Sequence, residues 1–333
     1  MSADRQKVAS VPSQRSKDQF LELYRQMVLI RRFEERAAEA YTQGKIGGFL
    51  HLAIGEEPAN VGVMAALRSD DDVFTHYRSH GQALARGMDP KAVMAELFGR
   101  ATGVSKGRGG SMHLASLEHH FWGGYAIVGG HIPMAVGMAV AHQYTGSDRV
   151  VVCIFGDGAV NTGAFHEALN MAGVWRLPIV FVVSNNLYGM GTAINRSSAV
   201  TEVYKRAAAY NMPGVRANGN DVLETEATVR EAVEKARAGE GPSLVELMTY
   251  RFRGHSMADP ELYRSKEEVE QWKARDPIAA FRRRLEEEGI ATAAEFEAID
   301  RRVAETVDEA VRFANESPEP DPATLFDHVY VNP

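Results

Sequence analysis

The chain has 333 residues, 45% of them hydrophobic and 24% charged, which is enough apolar surface for one large or two small cores and excludes a disordered or fibrous polymer. Its net charge of −7 is the wrong sign for a nucleic-acid footprint, and the basic cluster Arg282 to Arg284 is answered at once by Glu286 to Glu288, as on a solvated helix. The single cysteine, Cys153, allows neither an internal disulfide nor a cysteine-rich metal site and points to a reducing compartment.

Ser16 followed by Gln19 forms a capping-box pattern, and Phe20, Leu23, Met27, Ile30, Phe33, Ala37 and Tyr41 recur at three- and four-residue steps until Gly44. A long amphipathic helix is expected there. Downstream, helical patterns over 57–67, 90–98, 163–174 and 225–238 alternate with β-branched runs at 150–155, 179–183 and 244–247. This alternation predicts the α/β class: a doubly wound, mostly parallel sheet with helices on both faces and helical extensions at the two ends of the chain. The Gly-rich stretches 103–110 and 123–130 lack periodicity and are expected as loops that let backbone approach a ligand. From about 266 to 315 the pattern is helical and charge-laced, and ESPEPDPA then leads into LFDHVYV, where the prolines predict an extended arm.

No linker divides the body. One domain over 1–333 is expected, with a helical extension at about 1–45, a core at about 46–260 and a helical region with its arm at about 261–333. The first twenty residues contain no apolar stretch of signal-peptide length, and no run reaches the roughly 18 apolar residues of a membrane span. A cytoplasmic, bacterial protein is expected ahead of one in the mitochondrial matrix, with neither nucleic acid nor membrane as a partner.

The stretch FGDGAVNTGAF, residues 155–165, follows an apolar strand pattern and fixes Asp157 between two glycines. Ligands of open parallel sheets sit outside the carboxyl ends of strands, and the flanking glycines permit close backbone approach just before a helix start, a favourable place for an anion. Taken alone, Asp157 reads equally well as a helix cap. The dinucleotide fingerprint fails because Asn161 stands where the third glycine belongs, and the P-loop fails because Gly44-Lys45 is followed by Ile46. The next strand pattern ends in SNNLYG, so Asn186 lies 29 residues after Asp157, about one βαβ unit away. Adjacent parallel strands would join a carboxylate, an amide oxygen and a nearby backbone carbonyl into an incomplete oxygen shell, a set suited to Mg²⁺ when phosphates supply the remaining ligands.

GDG followed after about 26 residues by NN resembles the signature of thiamine-diphosphate enzymes. GFLHLAIGEEP (48–58), HYRSHG (76–81), KGRGGSMH (106–113), GGYAIVGG (123–130) and YRFRGHSMADP (250–260) narrow the resemblance. Together they are similar to the α subunit of the decarboxylating component of 2-oxo-acid dehydrogenase complexes, most closely the pyruvate dehydrogenase form, over roughly residues 20–330.

The resemblance implies thiamine diphosphate and Mg²⁺ as cofactors. It assigns the metal to Asp157, Asn186 and the carbonyl of Tyr188, and the diphosphate to Tyr77, Arg78, Arg251 and the backbone of the Gly156 to Ala159 turn, with N–H groups from Gly158 and Ala159. Ile127 and Val128 correspond to the segment supporting the cofactor rings, although Ala126 stands where the family commonly has glycine. His255, on a loop, and His51, in the substrate pocket, match the family's active-site histidines and could move protons near neutral pH. His76, His80, His113, His119, His120 and His131 receive no role, and the HExxH arrangement of a zinc helix is absent.

The resemblance further implies oxidative decarboxylation of pyruvate with transfer of the acyl group to a lipoyl-bearing dihydrolipoyl acyltransferase core. A β subunit would supply the glutamate that activates the aminopyrimidine ring, so a heterotetramer of two α and two β chains is expected. The α subunits of acetoin dehydrogenase and of the branched-chain 2-oxo-acid enzyme are the rivals within the class. A nucleotide-binding oxidoreductase and a catalytically silent scaffold subunit are the rivals outside it. Ser256 matches a serine phosphorylated in mitochondrial relatives, but Leu262 replaces the second regulatory serine, and regulation is not the favoured expectation.

Overall fold

A computed structural model describes residues 15–327 together with 329 and 331; the expected N-terminal extension before residue 15 and the last part of the expected arm lie outside the described residues. The capping box forms as anticipated, with the Ser16 and Gln19 side chains each accepting the other's backbone N–H, and α1 (Lys17–Thr42) runs from it. There follow α2 (Glu57–Ala65), β1 (Asp72–His76), α3 (His80–Ala85), α4 (Pro90–Leu97), β2 (Phe121–Tyr125), α5 (Ile132–Thr145), β3 (Val151–Gly156), α6 (Gly163–Trp175) and β4 (Ile179–Asn185). A hairpin of β5 (Tyr188–Gly189) and β6 (Thr192–Ala193) precedes α7 (Ile194–Ser197), β7 (Gly214–Asn218), α8 (Val222–Arg237) and β8 (Ser243–Met248). The chain closes with α9 (Lys266–Lys273), α10 (Pro277–Glu287) and α11 (Ala293–Glu316).

Six strands form one parallel sheet in the order β2-β1-β3-β4-β8-β7. Both faces are covered, which is why its central strands read as continuous apolar runs. Val152, Ile154, Val180, Val182 and Val245 join Met27, Phe33, Val61 and Val229 on one face. Val151, Cys153, Phe155, Ile179, Phe181 and Val183 join Ala135, Ala139, Phe165 and Leu169, from α5 and α6, on the other. Burying each such branched or aromatic side chain is worth about 1.5–3 kcal/mol.

Two expectations are corrected and a third, the helical C-terminal region, is found and resolved into its parts. The first three residues of the glycine-rich stretch 123–130 are not loop but the end of β2, where Gly124 has no room for a side chain: a Cβ there would lie 2.7 Å from the Met112 carbonyl oxygen. The long C-terminal helical pattern is three helices, broken at Asp276-Pro277, where the Asp276 carboxylate caps α10, and at Gly289. The arm is not extended throughout: Pro322–Thr324 form a 3₁₀ turn, held to the body by the Arg108 guanidinium on the carbonyls of Thr324 at 2.6 Å and Asp327 at 3.1 Å.

Candidate active site at the carboxyl edge of the sheet

β3 and β4 pair in register from Val151–Ile179 to Gly156–Ser184, so the residues leaving their carboxyl ends emerge side by side. Asp157 leaves β3 into a 3₁₀ turn, Asp157–Asn161, and Asn186 leaves β4 one residue past its end. The cap reading of Asp157 fails, because α6 is capped by the Thr162 hydroxyl, which accepts the N–H of Phe165 at 3.3 Å. Asp157 instead lines a cavity of about 320 Å³ with its carboxyl group 4% exposed. Burial, reinforced by the nearby Glu56 charge and opposed by backbone N–H groups and Arg251, pushes that carboxyl up to about 7. A buried carboxylate in this condition gains from a cation placed beside it.

The two asparagines of the SNN turn divide their work. Asn185 turns inward, donating to Glu246 at 2.6 Å, whereas Asn186 lines the cavity and donates its amide N–H to Glu56 at 3.1 Å. The Asn186 side-chain oxygen accepts the N–H of Tyr188 at 3.3 Å, which folds the turn back toward β3. Leu187 and Met190 adopt left-handed backbone, at φ 75° and 57°, a conformation that costs about 1 kcal/mol for a residue with a side chain. The turn brings the β5-β6 hairpin onto the GDG turn so closely that a Cβ on Gly189 would lie 3.2 Å from the Gly158 Cα. A side chain at Gly189 would thus press on the GDG turn, whereas one at Gly158 would meet the Gly189 Cα at 3.4 Å, an ordinary contact.

The opposite wall is cationic. Arg78 is buried and donates to the carbonyls of Leu52 and His255, both at 2.7 Å, with the Glu56 carboxylate at 3.7 Å from its Nε. Burial and the neighbouring Arg251 pull its guanidinium down to about 10. Arg251 is 2% exposed and donates to neutral acceptors: the carbonyls of Arg253 and Met190 at 3.0 and 3.3 Å and the Tyr263 hydroxyl at 2.8 Å. Two buried guanidinium groups on the wall of one cavity suit a ligand carrying several negative charges.

His255, Tyr77 and His51 pack together at the same wall, with ring centroids 5.0 Å apart for the two histidines and 4.5 Å for His51 and Tyr77. Burial, helped by Arg78, drives the His255 imidazole down to about 4 and His51 to about 2, so both are neutral at pH 7. The Nδ1 atoms of both are buried and find no partner among the described residues.

Of the residues singled out from sequence, Tyr77, Arg78, Val128, Gly156, Asp157, Gly158, Ala159, Asn186, Tyr188, Arg251 and His255 line this one cavity. His51 lies behind it against Tyr77 and His255, and Ile127 stands at its rim, 76% exposed. Sequence reasoning missed Glu56, whose carboxylate gathers the Ser184 hydroxyl at 3.1 Å, the Asn186 amide and the Thr249 hydroxyl at 3.0 Å. Adjacent Glu56 and Glu57 in AIGEEP give no local sign of which carboxylate reaches the site, because the donors that Glu56 gathers lie far along the chain. Among the described residues no three His, Cys, Asp or Glu side chains converge on a metal position. A metal held here would therefore take one carboxylate, one amide oxygen and main-chain oxygen, a hard-oxygen set that fits Mg²⁺ and not zinc.

The model of the dehydrogenase E1 component family matches residues 25–323. The chain is 48% identical to the pyruvate dehydrogenase E1 component subunit alpha of Rhizobium meliloti, over 93% of this chain and 90% of that protein. It is 46% identical to the protein of the same name from Zymomonas mobilis, over 95% of this chain and 89% of the relative. With the chloroplastic pyruvate dehydrogenase E1 component subunit alpha-3 of Arabidopsis thaliana it shares 45% identity over 96% of this chain and 76% of the relative.

Proposed function

The chain belongs to the dehydrogenase E1 component family, and on that premise we propose that it is the α subunit of an enzyme that oxidatively decarboxylates pyruvate, using thiamine diphosphate and Mg²⁺. The observation that carries the reading is the meeting of Asp157 and Asn186 at adjacent strand ends, across one cavity from the buried guanidinium groups of Arg78 and Arg251. When bound, thiamine diphosphate supplies the carbanion that attacks a 2-oxo group and the electron sink for the carbon dioxide departure.

The work of this chain is to bind and orient. Asp157, Asn186 Oδ1 and the Tyr188 carbonyl hold Mg²⁺; Tyr77, Arg78, Arg251 and the N–H groups of Gly158 and Ala159 hold the diphosphate. Val128 and Ile127 support the rings at the rim. His255 and His51, neutral at pH 7, offer imidazole nitrogen as a hydrogen-bond partner to the substrate and as acceptor of a proton leaving it. The three segments, 1–45, 46–260 and 261–333, serve as one domain.

The site is half of a larger one. The faces of α5 and α6 turned away from the sheet expose Met134, Tyr144, Met171, Val174 and Trp175, and α5 begins at Ile132, shortly after Val128, which lines the cavity. Exposed apolar surface of this kind marks a protein interface. A β subunit docked there would close the cavity and bring the glutamate that activates the aminopyrimidine, in a heterotetramer of two α and two β chains. The acetyl group then passes to a lipoyl-bearing dihydrolipoyl acyltransferase. A cytoplasmic location accords with a lone buried cysteine and with bacterial relatives at high identity.

Reconstitution of the chain with its β partner tests the reading. Turnover of pyruvate, 2-oxoisovalerate and acetoin is compared with cofactor and Mg²⁺ present, using an artificial electron acceptor. Pyruvate should be turned over fastest and the α chain alone should be inactive; a preference for acetoin or the branched substrate, or activity of α by itself, refutes the assignment.

A further inference from the structure

Tyr188 offers a backbone carbonyl to the metal from a short turn that its own side chains fasten by two hydrogen bonds, Tyr188 N–H to Asn186 Oδ1 at 3.3 Å and Leu187 N–H to Asn185 Oδ1 at 3.0 Å. Its neighbours Leu187 and Met190 both occupy left-handed backbone, and the hairpin it opens is only two residue pairs long. A turn that carries this strain on so short a hairpin holds its carbonyl more firmly when something outside it also fixes the side chain. That anchor lies 80 residues further along the chain. The Tyr188 hydroxyl donates to both carboxylate oxygens of Glu268, at 3.0 and 3.1 Å.

Glu268 is itself well held. Its backbone N–H donates to the Ser265 hydroxyl that caps α9, and its Oε1 accepts a second phenol, that of Tyr250, at 2.8 Å. Tyr250 is fully buried, stacks on Trp272 with centroids 4.8 Å apart and planes 6° from parallel, and immediately precedes Arg251. One carboxylate therefore fastens the turn carrying Tyr188 to the segment carrying Arg251.

We propose that Glu268 is a positioning residue for the metal and diphosphate: by holding the Tyr188 hydroxyl it fixes the Tyr188 carbonyl, and through Tyr250 it links that carbonyl to Arg251. The inference rests on the reading of the cavity as a thiamine diphosphate and Mg²⁺ site and adds a residue of α9 that touches neither group. It separates two roles of Tyr188, the carbonyl toward the metal and the phenol toward the anchor.

The test uses the α/β complex with full-length α, and reads the Mg²⁺ concentration needed for half-maximal thiamine diphosphate binding by calorimetry and by tryptophan fluorescence. E268A and Y188F should each raise it about tenfold, the factor one charge-assisted hydrogen bond carries. The double variant should lose no more than E268A alone, because E268A already removes the link that Y188F breaks. E268Q, whose amide oxygen still accepts both phenols, should stay within about threefold of the parent.

Replacing Mg²⁺ by the larger Ca²⁺ should penalise E268A less than the parent, since a loosened carbonyl tolerates longer bonds. Parent-like Mg²⁺ dependence in E268A, or losses that add in the double variant, would overturn the inference. Should E268A fail to assemble, Y188F leaves α9 untouched and decides the matter alone. A parent complex that shows no Mg²⁺-dependent binding would overturn the cofactor reading and this inference with it.

Discussion

Replacing Asp157 by Asn should stabilise the metal-free chain while abolishing its ability to hold Mg²⁺ and cofactor. In the folded chain burial pushes the carboxyl from 3.8 up to about 7, and the group is 4% exposed, so little solvent screening relieves it. For an acid, a folded-state value above the unfolded one means that ionisation penalises the native state. Below about pH 3.8 both states are protonated and the penalty is absent; it grows as pH rises through the interval and is complete above about 7. The interval spans about three decades of proton concentration at about 1.4 kcal/mol each, which makes roughly 4 kcal/mol at pH 8 and roughly 1.5 kcal/mol at pH 5.

Asparagine keeps the shape and carries no charge, so Asp157→Asn should recover most of that penalty. Urea denaturation of parent and variant, in chelator at pH 5 and pH 8, measures it. A variant no more stable than the parent at pH 8, or a gain equal at both pH values, refutes the argument. The same carboxyl predicts that Mg²⁺ and a proton compete for Asp157, so cofactor binding by the parent should weaken as pH falls below about 7.

Two further perturbations address the parts around it. Glu56→Ala leaves the buried Ser184 and Thr249 hydroxyls and the Asn186 amide without their acceptor and should cost about 3–5 kcal/mol in urea denaturation, whereas Glu56→Gln, which keeps an oxygen toward them, should cost about 1–2 kcal/mol. A Glu56→Ala chain as stable as the parent would show that those donors find other acceptors. Met134→Glu places a charge on the exposed side of α5 and should leave the circular dichroism of the α chain unchanged while preventing co-elution with β in size-exclusion chromatography. Undiminished assembly would move the β interface elsewhere.

What was legible in the sequence was local. GDG and NN each combine an apolar strand with the turn that ends it, and a spacing of one βαβ unit sufficed to set Asp157 and Asn186 side by side. The capping box of α1 and the i to i+4 pairs Arg282–Glu286 and Arg284–Glu288 were equally open to reading, because partner and partner lie within one helical turn. Glu56 was not, since its three donors come from β4, the turn after it and the residue following β8, at separations of 128 to 193 residues. The strand β2 was hidden in glycines that answer to close packing and not to β propensity.

The helix α5 escaped for a more instructive reason. Helical periodicity is visible only when one face of a helix is apolar and the other polar. In IPMAVGMAVAHQYT the sheet-facing residues Ile132, Ala135, Val136 and Ala139 are apolar, and so are Met134, Gly137, Ala141 and Tyr144 on the face turned outward. A helix without polar positions over most of its circumference is one that is buried all round. In this chain the sheet buries only half of α5 and leaves Met134, Gly137, Ala141 and Tyr144 exposed, so on the proposed reading the missing periodicity is the imprint of a β subunit that would cover the rest. The helix borders the cavity that holds Asp157 and Arg251, and His131, the residue before it, lines that cavity. On the proposed reading, the failure of the sequence pattern and the half-built site have one cause: an apolar face of α5 that a β subunit would cover.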